Sequence, residues 1–108
     1  GSTAYSLSCG GPILMPGSGN FVITPIAPHN LNVRPIVIDN NSILDITVEA
    51  RAKKNLIALD SRSEELINGE KLRIQKAPFK VALIQLENQS FISSLRSKLN
   101  WGLDKRNT

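Results

Sequence analysis

The 108 residues predict a mainly β domain: two packed antiparallel sheets, with a short helix at the start and a second near the end. Three observations lead there. Leu44 to Ala50 alternates strictly, with Leu44, Ile46, Val48 and Ala50 on one side and Asp45, Thr47 and Glu49 on the other. Such alternation belongs to a strand with one buried face and one wet face. Asn68-Gly69 stands between two apolar runs, and Asn-Gly suits a tight type I′ hairpin turn. Elsewhere short β-branched runs are separated by clusters of Pro, Gly, Asn and Asp.

In chain order, Ser2 or Thr3 is placed to cap a first helix, which Gly10, Gly11 and Pro12 then stop. Ala4, Ser8 and Gly11 fall at helical spacings, so they share a nearly bare face with Tyr5 at its edge. Hydroxyls beside such a face suit a flat, polar or anionic ligand, and a small-residue helix packed on a sheet is the plainer alternative. Pro16 to Asn20 reads as a loop. Phe21 to Ile26 reads as an edge strand, since Pro25 cannot donate to a ladder. Val33 to Ile38 is a strand, and Asp39 to Ser42 a turn cluster.

Leu56 to Leu59 is the expected partner of Leu44 to Ala50, across a turn at Arg51 to Asn55. Asp60 to Glu65 is polar. Leu66-Ile67 and Lys71 to Lys76 form a second hairpin around Asn68-Gly69. Phe79 to Leu86 begins another strand after Ala77-Pro78. Ser90 caps a last helix in which Ile92, Leu95 and Leu99 recur at helical spacing. Arg96 and Lys98 sit where that helix dipole favours cations. Trp101 folds back on the domain, and Asp104 to Thr108 frays. The sum is six or seven strands and two short helices in one domain spanning residues 1–108.

Charge and composition narrow the function. The net charge of +4 is spread, with a small knot at Arg51, Lys53 and Lys54, and aromatics make up only 5%. Nucleic acid is not an expected partner, because no aromatics are interleaved to stack bases. No membrane is expected either, since no apolar run approaches the ~18 residues of a spanning helix. One cysteine allows no internal disulfide, and one Cys with one His does not make a zinc set. The cytoplasm is the default location. His29 reads as a structural residue that holds its loop by hydrogen bonds, and Cys9 as a small core residue. No phosphate loop of the Walker type occurs, and Gly10-Gly11-Pro12 is too short to cradle a triphosphate.

The segments GSTAYSLSCGGPILMP and ITPIAPHNLNVRPIVI resemble the carboxy-terminal half of NAD kinases. That family carries a signature close to TPTGSTAYSLSAGGP, then TPI-x-PH-x-L-x-x-RP, a D-G-Q-like turn, and an ending near F-x-x-x-LR-x-KL-x-W. Here these stand as Gly1 to Pro12, Thr24 to Pro35, Asp60 to Arg62 and Phe91 to Trp101. The TPT that opens the signature is not in the chain. Ser61 and Arg62 replace the Gly and Gln of many members. A Gly there often marks a positive φ, so Ser61 fits only if its own backbone is ordinary.

The resemblance implies a β-rich carboxy-terminal domain, preceded in the family by a smaller α/β domain. It implies transfer of the ATP γ-phosphoryl group to the 2′-hydroxyl of the adenosine ribose of NAD, giving NADP, with magnesium as the divalent metal. The family's GGDG motif, whose Asp is the base, does not occur here. The chain is therefore expected to be a fragment that holds no catalytic residue and no metal ligand, and that is inactive alone. By resemblance, Thr3, Ala4, Tyr5 and Ser8 match positions that touch the dinucleotide. Ala27 matches a position that reaches a neighbouring subunit's ligand, so a homo-oligomer (dimer or tetramer) is implied. Asp60 matches the Asp of the turn near the same site, Ser61 follows it, and Arg62 offers a phosphate contact. Two rival readings stay open: a lipid kinase of the diacylglycerol or sphingosine type, and a non-catalytic β-sandwich interaction module.

Overall fold

Residues 2–100, which the computed structural model describes, hold six strands and two helices. The strands pair into three small two-stranded sheets, β1 with β2, β3 with β6, and β4 with β5. The mainly β expectation holds at that level. The chain divides into two compact units, residues 1–37 with 79–108, and residues 38–78. The expected return of Trp101 and the tail Asp104 to Thr108 lie outside the described residues.

In the first unit, α1 spans Ser2–Ser8 and β1 spans Asn20–Ile23. β1 ends just before Thr24-Pro25, where the ladder donor is lost. β2, Ile36–Asp39, starts immediately after Pro35 and leads into the second unit. The last helix, α2, spans Phe91–Lys98. Its start is a capping box: Ser90 Oγ accepts from the Ser93 N–H at 3.1 Å, and the Ser90 N–H donates to Ser93 Oγ at 3.2 Å. Arg96 and Lys98 occupy its last turn, as expected from the dipole. Of the predicted apolar stripe, Leu95 is buried while Ile92 and Leu99 stay exposed.

Phe79 to Leu86 is not a strand. Val81, Leu83 and Ile84 are strongly exposed, Ile84 by 97%. A run that is apolar on both faces is stable in a sheet only when both faces are covered, and no described strand pairs with it.

The second unit is one long antiparallel excursion with a break in it. β4 (Lys54–Leu59) and β5 (Arg62–Ile67) pair from Lys54↔Ile67 to Leu59↔Arg62, so the chain reverses at Asp60-Ser61. Outside them, β3 (Leu44–Thr47) pairs with β6 (Lys71–Ile74) from Leu44↔Ile74 to Thr47↔Lys71. Residues 48–53 thus stand against residues 68–70.

Two expectations are corrected here. Leu56–Leu59 is not the partner of Leu44–Ala50, and Asn68-Gly69 is not a hairpin tip. The stretch taken as merely polar, Asp60 to Glu65, holds the true reversal and most of β5. The reason lies in Asn68. Its N–H donates to Lys53 O at 2.7 Å, and its Oδ1 accepts from the Ala50 N–H at 2.8 Å. The Gly69 N–H donates to Val48 O at 3.2 Å. These bonds tie the turn to the unmatched stretch of the facing arm. Gly69 has φ +89 and Asn68 does not have a positive φ, whereas a type I′ turn needs both positive.

The side-chain alternation predicted over Leu44 to Ala50 is observed as far as Glu49, but the strand ends at Thr47 and Ala50 is exposed. Leu44, Ile46 and Val48 are half-buried, and Asp45, Thr47 and Glu49 are exposed. Leu66 is the buried apolar residue of this unit, and Leu95 that of the other, among the described residues.

Candidate functional site

The opening helix ends by a defined device. Gly10 takes φ +75, the Gly11 N–H donates to Ser6 O at 2.6 Å, and the Gly10 N–H donates to Leu7 O at 3.1 Å. This pair of bonds is the Schellman closure, which a glycine in the left-handed region makes without a Cβ penalty. α1 already includes Ser2 and Thr3, so neither occupies the cap position expected of them. Gly11 is not on the helix face with Ala4 and Ser8, because the chain has turned by then and brings it back against Ser6.

Of the residues singled out on α1, Ala4, Tyr5 and Ser8 are exposed, Tyr5 by 72%. Thr3 lies in the same helix. Ser8 Oγ donates back to Tyr5 O at 2.7 Å and stands 3.7 Å from Cys9 Sγ. Cys9 itself is half-buried. Ser6, between the exposed residues, is 4% exposed, and its hydroxyl donates to Pro12 O at 3.2 Å.

Gly11 is where the two long sequence motifs meet. A Cβ there would overlap the Ser6 hydroxyl, lie 2.8 Å from Ser6 O, and lie 3.0 Å from Thr24 Oγ1. Thr24 opens the TPIAPH segment. Three residues on, Ala27 has φ +47, a left-handed conformation rarely taken by a residue with a Cβ. The loop that follows is closed by its own polar groups. Asn30 Oδ1 accepts from the Asn32 N–H at 2.9 Å, and Arg34 Nη1 donates to Leu31 O at 2.6 Å and to Val33 O at 3.1 Å. His29 is exposed, and no hydrogen bond among the described residues involves its ring. The loop-holding role expected of His29 therefore belongs to Asn30 and Arg34, whose groups reach backbone one to three residues away.

Asp60 and Ser61 form the tip of the β4–β5 hairpin in the other unit. Asp60 has φ +51, and Ser61 does not have a positive φ. Positive φ at the first central residue alone is the sign pattern of a type II′ turn, whose twist matches the flanking strands. The replacement of Gly by Ser at position 61 thus meets an ordinary backbone angle. Arg62 opens β5 opposite Leu59 and is exposed.

One feature of the first unit went unread in the sequence. An apolar groove of about 740 Å³ runs along α1 and α2, lined by Leu7, Leu14, Met15, Leu83, Phe91 and Leu95 among others. Its signal was the ILM run after Pro12, which no periodicity marks. Among the described residues no three His, Cys, Asp or Glu side chains gather as a metal cluster. No described helix is long and apolar enough to cross a membrane.

With six short strands in three two-stranded antiparallel sheets and two short helices, the first of which exposes Ala4, Tyr5 and Ser8, the chain is a β-rich protein of small paired sheets. It belongs to the family described as ATP-NAD kinase C-terminal domain, whose model matches residues 1–86. NAD kinases from Cytophaga hutchinsonii, Christiangramia forsetii and Flavobacterium psychrophilum are 51%, 50% and 51% identical to it over 107 residues, 99% of this chain. The chain covers 37%, 36% and 36% of their respective lengths, a little over a third.

Proposed function

We propose that the chain is the dinucleotide-holding part of a kinase that transfers the ATP γ-phosphoryl group to the 2′-hydroxyl of the adenosine ribose of NAD, giving NADP. Thr3, Ala4, Tyr5 and Ser8 contact the dinucleotide, Ala27 reaches the ligand of a neighbouring subunit, and Asp60 and Ser61 lie against the same ligand. The observation that carries this reading is the exposed α1 face. A tyrosine 72% exposed, flanked by Ala4 and Ser8, leaves a flat ring and a hydroxyl open to a ligand, on a helix whose end is rigidly closed. Identity near 50% to NAD kinases, through the same segment, supports it.

In this reading the chain positions one substrate, and the acid–base chemistry belongs to sequence outside it. Catalysis then rests on orientation and charge stabilisation shared with the rest of the enzyme. In this reading magnesium enters with the ATP phosphates. The chain alone turns over no NAD. The enzyme is a cytoplasmic homo-oligomer. Exposed Leu83 and Ile84 support a role inside a larger assembly, since monomers rarely leave such a row uncovered.

The apolar groove gives the lipid-kinase reading the cavity it needs. Against it stand the polar, exposed α1 face and the NAD kinase relatives. Calorimetric titration of NAD and NADP, with Tyr5→Ala alongside, tests the proposal. Binding that weakens at least tenfold in Tyr5→Ala supports it. Equal binding by both proteins removes the dinucleotide from α1. If NAD binds neither the chain nor the longer kinase that carries it, the reading fails.

A further inference from the structure

We infer that Ser6 is a positioning residue for the dinucleotide: buried beneath the α1 face, it locks the helix end to the Gly10–Pro12 turn and so holds Tyr5 and Ser8 in place. The inference rests on the proposed function, because it takes the α1 face to be the NAD-contacting surface. The position of Ser6 is unlike that of its neighbours. Ala4, Tyr5 and Ser8 point to solvent, while Ser6 is 4% exposed. A polar side chain this buried is stable only when bonded, and its hydroxyl donates to Pro12 O across six residues of chain. Its carbonyl accepts from the N–H groups of Cys9 at 3.1 Å and Gly11 at 2.6 Å. One residue therefore satisfies three groups of the helix end and the turn.

The space around that hydroxyl is just as restricted. Gly11 passes so close that a Cβ would overlap the Ser6 hydroxyl, and Thr24 Oγ1 faces the same point from the second motif. The closure is thus a joint between three segments, with Ser6 at its centre. Pro12 explains why a side chain is used. It has no N–H to bond back to the helix, so its carbonyl is what remains for fastening. Without the hydroxyl the turn samples other positions, and only a fraction of molecules present Tyr5 and Ser8 together. Apparent affinity falls by that fraction.

The test is steady-state kinetics of Ser6→Ala, Gly11→Ala and the double variant in the kinase that carries this chain, varying NAD and ATP separately. In Ser6→Ala the KM for NAD rises about fivefold, the factor corresponding to one buried hydrogen bond of about 1 kcal/mol. The KM for ATP stays within twofold. Loss of folded protein lowers apparent kcat but leaves KM unchanged, so simple destabilisation does not imitate this result. Gly11→Ala also raises the KM for NAD. The double variant is no worse than Gly11→Ala alone, because the hydroxyl that the new Cβ overlaps has gone.

Three results overturn the inference: a KM for NAD within twofold of the parent in Ser6→Ala, parallel rises for NAD and ATP, or a double variant equal to the product of the single effects. A parent protein that does not phosphorylate NAD at all is a different failure. It removes the functional reading, and this inference with it.

Discussion

Arg73 grips Asp45 directly across the β3–β6 ladder with a two-point fork, Nε to Oδ1 at 2.8 Å and Nη2 to Oδ2 at 2.9 Å. Lys71 adds a longer contact to the same carboxylate at 3.8 Å, from the diagonal position. The Arg73 hydrogen bond holds the Asp45 carboxyl below its ordinary value of 3.8; desolvation opposes it, and the charges of Arg73 and Lys71 add to the lowering.

The sign of the pH effect follows. A carboxyl depressed by folding adds stability above its unfolded pKa, and loses that contribution as pH falls through the lower folded value. The contribution of the fork is therefore complete above about pH 4 and is lost as pH falls further, through the lower folded value. Carbon-detected NMR of the Asp45 carboxyl gives a midpoint below the usual aspartate range, and Arg73→Ala moves it upward. Because the pair is solvent-exposed, 0.5 M salt weakens the effect. An Asp45 midpoint unchanged by Arg73→Ala would rule out the fork in solution.

At α2 the expected outcome is a loss from one hydroxyl. Ser90→Ala leaves the Ser93 N–H without its cap and removes half of the reciprocal pair. The cost is about 1 kcal/mol. Chemical denaturation reads the total, and faster amide exchange at Ser93 places it at the helix start. Protection at Ser93 equal to that of the parent would show that water caps the helix as well as Ser90 does.

Thr24 leads to a prediction of opposite sign. Its Oγ1 is buried without a hydrogen-bond partner. Burying an unbonded hydroxyl costs about 1–3 kcal/mol, and an apolar group of the same shape avoids that cost. Thr24→Val is thus neutral or stabilising by up to about 1 kcal/mol. A loss larger than that on thermal denaturation would mean that the hydroxyl is bonded in solution.

Much of the fold was legible because local chemistry and final structure agree. The Leu44 to Val48 alternation, the Ser90 cap and the stop at Gly10-Gly11 each depend on residues within a few positions of one another, and each is observed. Strand pairing was not legible. Asn68-Gly69 carries a strong local turn signal, but Asn68 spends its polar groups on Ala50 and Lys53, a contact that no local rule predicts. The reversal fell instead at Asp60-Ser61, which lacks the glycine that usually marks it. In the site, the exposed residues of α1 carry recognisable types, whereas Ser6 differs from Ser8 in burial and in the carbonyl it bonds. Helical spacing turns Ser6 away from the face of Ala4 and Ser8, but its partner Pro12 lies beyond the helix, where no spacing marks it.

Asp60 separates backbone from carboxylate. At φ +51 it stands where a residue with a Cβ is strained by roughly 1 kcal/mol. Asp60→Gly relieves that strain, and the gain is offset by the greater freedom of glycine in the unfolded chain, so stability changes by less than about 1 kcal/mol. Asp60→Ala keeps the strain and loses any local help from the carboxylate, so it is the less stable of the two. If the carboxylate lies against the dinucleotide as proposed, both variants weaken NAD binding by a similar factor although their stabilities differ. Paired calorimetry and thermal denaturation show whether affinity follows the carboxylate or the turn. Affinity that is normal in Asp60→Gly and lost only in Asp60→Ala would assign Asp60 to the hairpin and remove it from the ligand.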